Sequence, residues 1–257
     1  MEILVEHEKL CEINCAVFDF DGTLSKLRAG WESVMLPMMC ELIPGEKSEV
    51  KVLAERYIDD STGIQTILQM RWLAEIIASR GGKALDPWEY KAEYLRRLMV
   101  DVEKRKQEVM KGEVDPDIYK VYECEKFLSA LKDRGVKIYA ASGTDEKDVK
   151  TEAEVLGFDK YFDDIKGAID GSDSCSKEAV LQKLVQIDGK LLVVGDGKVE
   201  IALGRERGAL TIGVASNDII GCNDVAFNMQ KYERLKKAGA HLLISDFREY
   251  EKILNWF

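Results

Sequence analysis

The chain has 257 residues, 46% hydrophobic and 33% charged, which is enough apolar content for a substantial core and excludes wholesale disorder. Its 47 acidic against 37 basic residues give a formal charge of −10, which argues against non-specific binding to nucleic acid or an anionic membrane. An anionic small molecule remains compatible, because a bound cation can oppose the net charge locally. No apolar run approaches the roughly 18–20 residues of a membrane span. The start, MEILVEHEKLCEINC, carries acids where a secretory signal has a basic end, so a cytoplasmic protein is expected. The six cysteines (Cys11, Cys15, Cys40, Cys124, Cys175, Cys222) are scattered, which favours reduced thiols. Cys11 and Cys15 have no second Cys/His pair to complete a zinc site.

Four short apolar runs end in small or acidic residues: CAVFDFDGT (15–23), VKIYAASGT (136–144), LLVVGDG (191–197) and LTIGVAS (210–216); HLLISDF (241–247) is a candidate fifth. Continuous hydrophobicity, as opposed to alternation, predicts strands buried on both faces. Helical patterns separate the later runs at 122–135, 145–157, 176–186 and 199–209. This alternation predicts an α/β fold: an open, mostly parallel, Rossmann-like sheet with helices on both faces. Ligands in such sheets lie beyond the carboxyl ends of the strands, where the polar residues of these runs fall.

Between the first and second runs the pattern is helical throughout. WESVMLPMMCELI comes first, with Pro37 expected to kink or split it. VKVLAERYI and IQTILQMRWLAEIIAS follow, and a last helix starts after Asp86-Pro87 and runs through WEYKAEYLRRLMVDVEKRKQEVM. An all-α cap domain over 27–112 is expected, inserted into a core made of 1–26 and 113–257. Met35, Met38, Met39, Met70 and Trp72 read as the cap's own core, and Lys104, Arg105 and Lys106 as a solvated face.

The strongest local signal is Asp19-Phe20-Asp21-Gly22-Thr23 at the end of an apolar run. Alternation turns Phe20 toward the core and leaves the two carboxylates together, an arrangement that repels unless a cation or a proton intervenes. One carboxylate can then act as a nucleophile and the other as a proton carrier. Ser142-Gly143-Thr144 offers a hydroxyl and backbone donors suited to a phosphoryl oxygen, or simply a turn after a strand. Lys177 opens a helix after the polar stretch GSDSCS, where it can neutralise a transferring charge or be solvated. Asp196 with Glu200 fits either a hard-cation site for Mg²⁺ or an ordinary acidic helix N-terminus.

Taken together and in this order, these segments resemble the motifs of the haloacid dehalogenase superfamily, phosphatase branch. CAVFDFDGTLS is similar to its first motif, IYAASGT to the second, the lysine of SKEAV to the third and VVGDGKVE to the fourth, over about residues 13 to 216. The resemblance implies a helical cap between the first two motifs, and Asp19 as nucleophile forming an aspartyl-phosphate. It implies Asp21 as acid, then base, with Ser142 and the neighbouring Gly143 and Thr144 amides holding phosphoryl oxygens and Lys177 steadying Asp19. Mg²⁺ would be held by Asp19, the backbone carbonyl of Asp21, and Asp196, with Glu200 as a further or water-mediated partner. A halide leaving group needs no proton, so Asp21 favours phosphate-ester hydrolysis over dehalogenation.

Arg28 follows the first motif, where it would meet a substrate anion or form a linker ion pair. Thr62-Gly63-Ile64-Gln65 is read as the start of a cap helix, with Gln65 a candidate for bonding sugar hydroxyls and Ser61 or Thr62 serving equally as an N-cap. His7 and His241 are read as structural or solvent-facing. Lys231-Tyr232-Glu233-Arg234-Leu235 is read as part of a terminal core helix. The expected function is Mg²⁺-dependent hydrolysis of a small phosphorylated metabolite, such as a sugar or polyol phosphate. A phosphomutase and a non-catalytic phospho-acceptor are the alternatives. Oligomeric state is left open.

Overall fold

The computed structural model describes residues 1–5, 13–169, 176–184, 190–223 and 225–257. His7, Cys11, Cys175 and nearly all of the GSDSCS stretch lie outside them. The chain divides into two compact units, Met1–Ala29 with Lys106–Phe257, and Gly30–Arg105. These boundaries differ by a few residues from the expected 26/27 and 112/113. No helix among the described residues is long and apolar enough to cross a membrane.

The helical unit is built from α1 (Glu32–Leu42), α2 (Lys47–Asp60), α3 (Thr66–Ser79) and α4 (Pro87–Met110), the last continuing past its boundary. Each contributes an apolar stripe at helical spacing: Met35, Met38 and Met39 from α1, Val50, Ala54 and Ile58 from α2, Met70, Leu73 and Ile77 from α3, and Tyr90, Tyr94, Leu98 and Val102 from α4. Trp72 stacks on Tyr57 with ring centroids 3.6 Å apart. Pro37 does not split α1. It removes one backbone bond, to the carbonyl of Ser33, and Ser33 is exposed, so the loss falls on the solvent side of the helix. Thr62 caps no helix start. Its Oγ1 donates to the Ile58 carbonyl at 3.0 Å, closing α2, while α3 begins four residues later. Lys106 is buried, unlike the solvated residue expected.

Among the described residues, the core is a sheet of seven strands: β1 (Glu2–Ile3), β2 (Ile13–Phe18), β3 (Lys137–Asp145), β4 (Asp164–Ala168), β5 (Lys190–Gly195), β6 (Leu210–Val214) and β7 (Leu242–Ile244), in the order β1-β7-β6-β5-β2-β3-β4. All neighbours are parallel except β1 with β7. Helices α5 (Cys124–Asp133), α6 (Glu146–Leu156), α7 (Ser176–Leu184), α8 (Lys198–Glu206), α9 (Met229–Lys237) and α10 (Tyr250–Trp256) complete it.

The apolar runs are continuous because successive residues enter different cores. Ala16, Phe18, Ile138, Ala140, Leu192 and Val194 join the cluster that holds Phe127 and Phe158. Cys15, Val17, Leu191 and Val193 join a second cluster with Val180 and Leu181 of α7. Strands β1 and β4 were not expected. The first is only two residues long, and the second is an edge strand in which half-buried Asp164 and Lys166 alternate with Ile165 and Gly167.

Candidate active site

Strand β2 pairs with β3 on one side and β5 on the other, so the chain's connections diverge on either side of its carboxyl end. That divergence opens a crevice in a parallel sheet, and the loops leaving β2, β3 and β5 supply its residues. The backbone N–H of Asp19 donates to the Val194 carbonyl at 2.9 Å, carrying the β2–β5 ladder one step past the strand. Phe20 then turns into the core, edge-on to Phe158, as the alternation predicts. Gly22 adopts φ +75°, and its carbonyl accepts from Ser216 Oγ at 2.9 Å. A Cβ there would come within 2.2 Å of Asp196 Oδ2, so glycine is what lets this turn lie against the β5 loop.

Lys177, at the start of α7, is buried with its Nζ 3.2 Å from Asp19 Oδ1 and 2.9 Å from Glu200 Oε2. Glu200 is also buried, in the first turn of α8, where its Oε1 accepts from the Gly197 N–H at 2.6 Å. Glu200 therefore caps the helix and binds the lysine at once, which fits the reading of an acidic helix N-terminus. Asp19, Asp196 and Glu200 bring carboxylate oxygens within 4.8 Å of one another, all three residues buried. Hard oxygen donors gathered at this distance fit a dication such as Mg²⁺. The Asp21 side chain is not part of that triad.

Asp21 is held differently. Its Oδ2 accepts from Thr144 Oγ1 at 2.8 Å and Ser142 Oγ at 3.3 Å, while its Oδ1 is buried with no hydrogen-bond partner. Ser142 Oγ also accepts from the Thr144 N–H at 3.0 Å. The Ser142-Gly143-Thr144 segment thus lies at the end of β3 against Asp21. Gln65 belongs to the helical unit, where it is buried just before α3.

Arg28 is a buried ion-pair residue of the core. Its Nε and Nη2 donate to Glu152 on α6, at 3.0 and 2.7 Å from Oε1, and Nη2 also reaches Asp148 Oδ2 at 3.1 Å. His241 is likewise structural: its Nδ1 accepts from the Thr211 N–H at 3.1 Å, and its ring also meets Arg205.

Sequence reasoning missed a second lysine. Lys231 on α9 places Nζ 2.8 Å from Asp196 Oδ2 and 2.9 Å from Asp218 Oδ1. The signal was a lysine on the buried stripe of an amphipathic helix, four residues before Leu235. Glu152 carried the same signal, sitting among Val149, Ala153 and Leu156 on the buried stripe of α6.

The electrostatics separate two carboxylates of the metal-capable triad. Burial raises the Asp19 carboxyl well above its ordinary range; Lys177 opposes that, and Glu200, Asp196 and Asp21 reinforce it. Asp196 also suffers burial, but its ion pair with Lys231 outweighs this and holds it below the usual value. Burial disfavours the Lys177 ammonium, yet Asp19 and Glu200 more than compensate and raise its pKa. Burial pushes Glu152 up to about 7, with Arg28 pulling the other way.

A haloacid dehalogenase-like hydrolase family model matches residues 13–208. No curated protein matches the chain. Among solved structures, a predicted phosphatase from Clostridium acetobutylicum is similar with a TM-score of 0.60 at 20% identity, covering 95% of this chain and 99% of the other. A β-phosphoglucomutase from Clostridium difficile gives 0.59 at 17% identity, over 95% and 97% of the two chains. A phosphonoacetaldehyde hydrolase-like protein from Oleispira antarctica gives 0.62 at 16%, over 99% and 96%. These likenesses are in fold. The family match covers most of the chain and includes the loops that carry Asp19, Ser142, Lys177 and Asp196, so the protein belongs to the haloacid dehalogenase-like hydrolases.

Proposed function

We propose that the protein is a Mg²⁺-dependent phosphomonoesterase acting on a small phosphorylated metabolite, sugar- or polyol-phosphate-like, through an aspartyl-phosphate on Asp19. One observation carries the reading: two carboxylates two residues apart have different hydrogen-bonding partners, Asp19 the Lys177 ammonium at 3.2 Å and Asp21 the Thr144 and Ser142 hydroxyls, with Arg28 Nε 3.9 Å from its other oxygen. An ammonium beside Asp19 can neutralise charge during attack on phosphorus, and hydroxyls bonded to Asp21 can orient a proton carrier.

In the proposed reaction, an Asp19 oxygen forms a bond to phosphorus as the bond to the leaving oxygen breaks. Asp21 gives its proton to that oxygen. Asp21 then takes a proton from water, whose oxygen attacks phosphorus and breaks the acyl-phosphate bond, releasing inorganic phosphate and restoring both groups. Lys177 neutralises charge on Asp19 and on the transferring group, and Ser142, Gly143 and Thr144 would bind its oxygens. Asp19, Asp196 and the Asp21 carbonyl would hold Mg²⁺, with Glu200 alongside; when bound, the ion supplies Lewis-acid stabilisation of phosphoryl charge. Gln65 is the remaining candidate for substrate contact, through hydroxyl groups; Arg28, engaged by Glu152 and Asp148, takes the ion-pair role.

A phosphate-release screen over sugar, polyol, nucleotide and glycolate phosphates, with Asp19→Asn as control, tests this. Release by the wild type and none by the variant is expected. Undiminished release by Asp19→Asn overturns the mechanism. A requirement for a bisphosphate would indicate a mutase, and no release from any compound a phospho-acceptor protein.

A further inference from the structure

Asp196 does not offer its two oxygens alike. Oδ2 is held by the Lys231 ammonium at 2.8 Å, while Oδ1 meets the Thr23 hydroxyl at 3.4 Å, near the limit of a hydrogen bond. The ammonium is fixed where it stands. Lys231 is buried on α9, whose first turn is tied to the Asn228 side chain through the Gln230 and Lys231 N–H groups, each at 3.1 Å. Asp218 Oδ1 holds the same Nζ from the other side at 2.9 Å. The Gly22 turn lies against Oδ2 of Asp196, where a Cβ would come within 2.2 Å, and this limits rotation of the carboxylate.

We propose that Lys231 is a positioning residue that sets the choice of dication: by occupying Oδ2 of Asp196 it leaves Oδ1 for the ion, which suits Mg²⁺ and disfavours Ca²⁺. The inference rests on the reading of Asp19 and Asp196 as ligands of the cation. The other two acids of the triad are restricted in the same way. Lys177 Nζ lies 3.2 Å from Asp19 Oδ1, and the two Glu200 oxygens are engaged by the Gly197 N–H at 2.6 Å and by Lys177 at 2.9 Å. None of the three carboxylates therefore has both oxygens open. Mg²⁺ is satisfied by single oxygens, because it takes a strict octahedron at about 2.0–2.1 Å and keeps several waters. Ca²⁺ takes six to eight oxygens at about 2.3–2.6 Å and gains from a carboxylate that binds with both. To use both oxygens of Asp196 it would have to come that close to Oδ2, beside an ammonium already 2.8 Å from the same atom. Like charges so placed repel.

Isothermal titration calorimetry of Mg²⁺ and of Ca²⁺ tests this without turnover, on wild type, Lys231→Ala, Lys231→Ala/Asp218→Asn and Asp196→Asn. The readout is the ratio of Ca²⁺ to Mg²⁺ affinity. Loss of a positive charge raises both affinities alike, whereas a newly open oxygen favours the ion that can use it. Lys231→Ala should raise the ratio at least about tenfold over wild type. The double variant should do the same, although it removes one charge of each sign and keeps the local net charge of the wild type.

An unchanged ratio in Lys231→Ala, with both affinities rising together, would show that the lysine acts through charge alone and overturns the proposal. A ratio that rises in Lys231→Ala and returns to the wild-type value in the double variant also overturns it, since the new oxygen would then belong to Asp218. Should Lys231→Ala fail to fold, the double variant decides by itself, and a wild-type ratio there is the overturning result. If wild type binds no Mg²⁺, or Asp196→Asn binds it as tightly as wild type, the cation site itself falls, and the role of Lys231 falls with it.

Discussion

Lys231 Nζ lies 2.8 Å from Asp196 Oδ2, while Thr23 Oγ1 approaches the other oxygen of the same carboxylate at 3.4 Å. Asp196 is thereby oriented by two groups, one on α9 and one on the loop after β2. Asp218 shares the ammonium at 2.9 Å, so one lysine balances two acids.

Removing that lysine should leave buried Asp196 and half-buried Asp218 without their shared cation. Lys231→Met is expected to lose about 3–5 kcal/mol of stability in urea denaturation with EDTA present. Excess Mg²⁺ should shrink the deficit, because a dication that binds only the folded state replaces the missing charge. A deficit identical in EDTA and Mg²⁺ would remove Asp196 from the proposed cation site.

Gly22 tests the same corner from the other side. Alanine there would meet Asp196 Oδ2 at 2.2 Å and must also adopt φ +75°. The left-handed backbone alone costs about 1–2 kcal/mol, and Asp196 must move to make room. A shift of about 1 Å in a positioned group costs on the order of 10²-fold in rate. Gly22→Ala should therefore fold with reduced stability and lose about 10²-fold in kcat. Wild-type kcat in a folded variant would mean that Asp196 has no part in the rate.

Much of this architecture was legible because β2, β3 and β5 are buried on both faces, which forces unbroken apolar runs with chemistry only at their ends. Asp19, Ser142 and Asp196 stood out for that reason. Strand β4 did not, because an edge strand tolerates Asp164 and Lys166 on its open positions. Lys231 and Glu152 were missed for a different cause. Each occupies an apolar stripe, and that anomaly is visible in sequence, but the partners Asp196 and Arg28 lie 35 and 124 residues away, and only the fold brings them together. The Thr62 reading failed because a hydroxyl between two helices can serve either end, and the choice depends on where α3 begins.

Lys177 carries a prediction about charge and shape. It sits between Asp19 and Glu200, and methionine keeps its length without the ammonium. Lys177→Met should lower kcat/KM by about 10²–10³-fold. Arginine should not restore it, because a planar fork does not fit between two carboxylates that converge on a point charge. The folded-state pKa of Lys177 is raised, so its contribution to stability is complete below the unfolded value of about 10.4 and is lost only as pH rises through the folded value. The wild-type rate should show no basic limb from this group below pH 9. Full rescue by Lys177→Arg would show that net charge alone suffices.

Glu152 makes stability depend on pH in a direction opposite to that of a typical surface carboxylate. Burial raises it from 4.5 to about 7 despite the opposing Arg28, with Asp21 from the β2 loop and Asp148 from its own helix adding repulsion. The folded protein therefore holds a proton that the unfolded chain releases between about pH 4.5 and 7. Stability from this group falls as pH rises through that window and is constant above it. The span corresponds to at most about 3 kcal/mol. Urea denaturation of wild type and Glu152→Gln at pH 5 and pH 8 isolates the effect, because every other titrating group is common to both. The amide has no proton to lose, so the variant should gain on the wild type between pH 5 and pH 8 by up to that amount. A difference that does not change with pH would place Glu152 in its ionised form throughout, with Arg28 fully offsetting its burial.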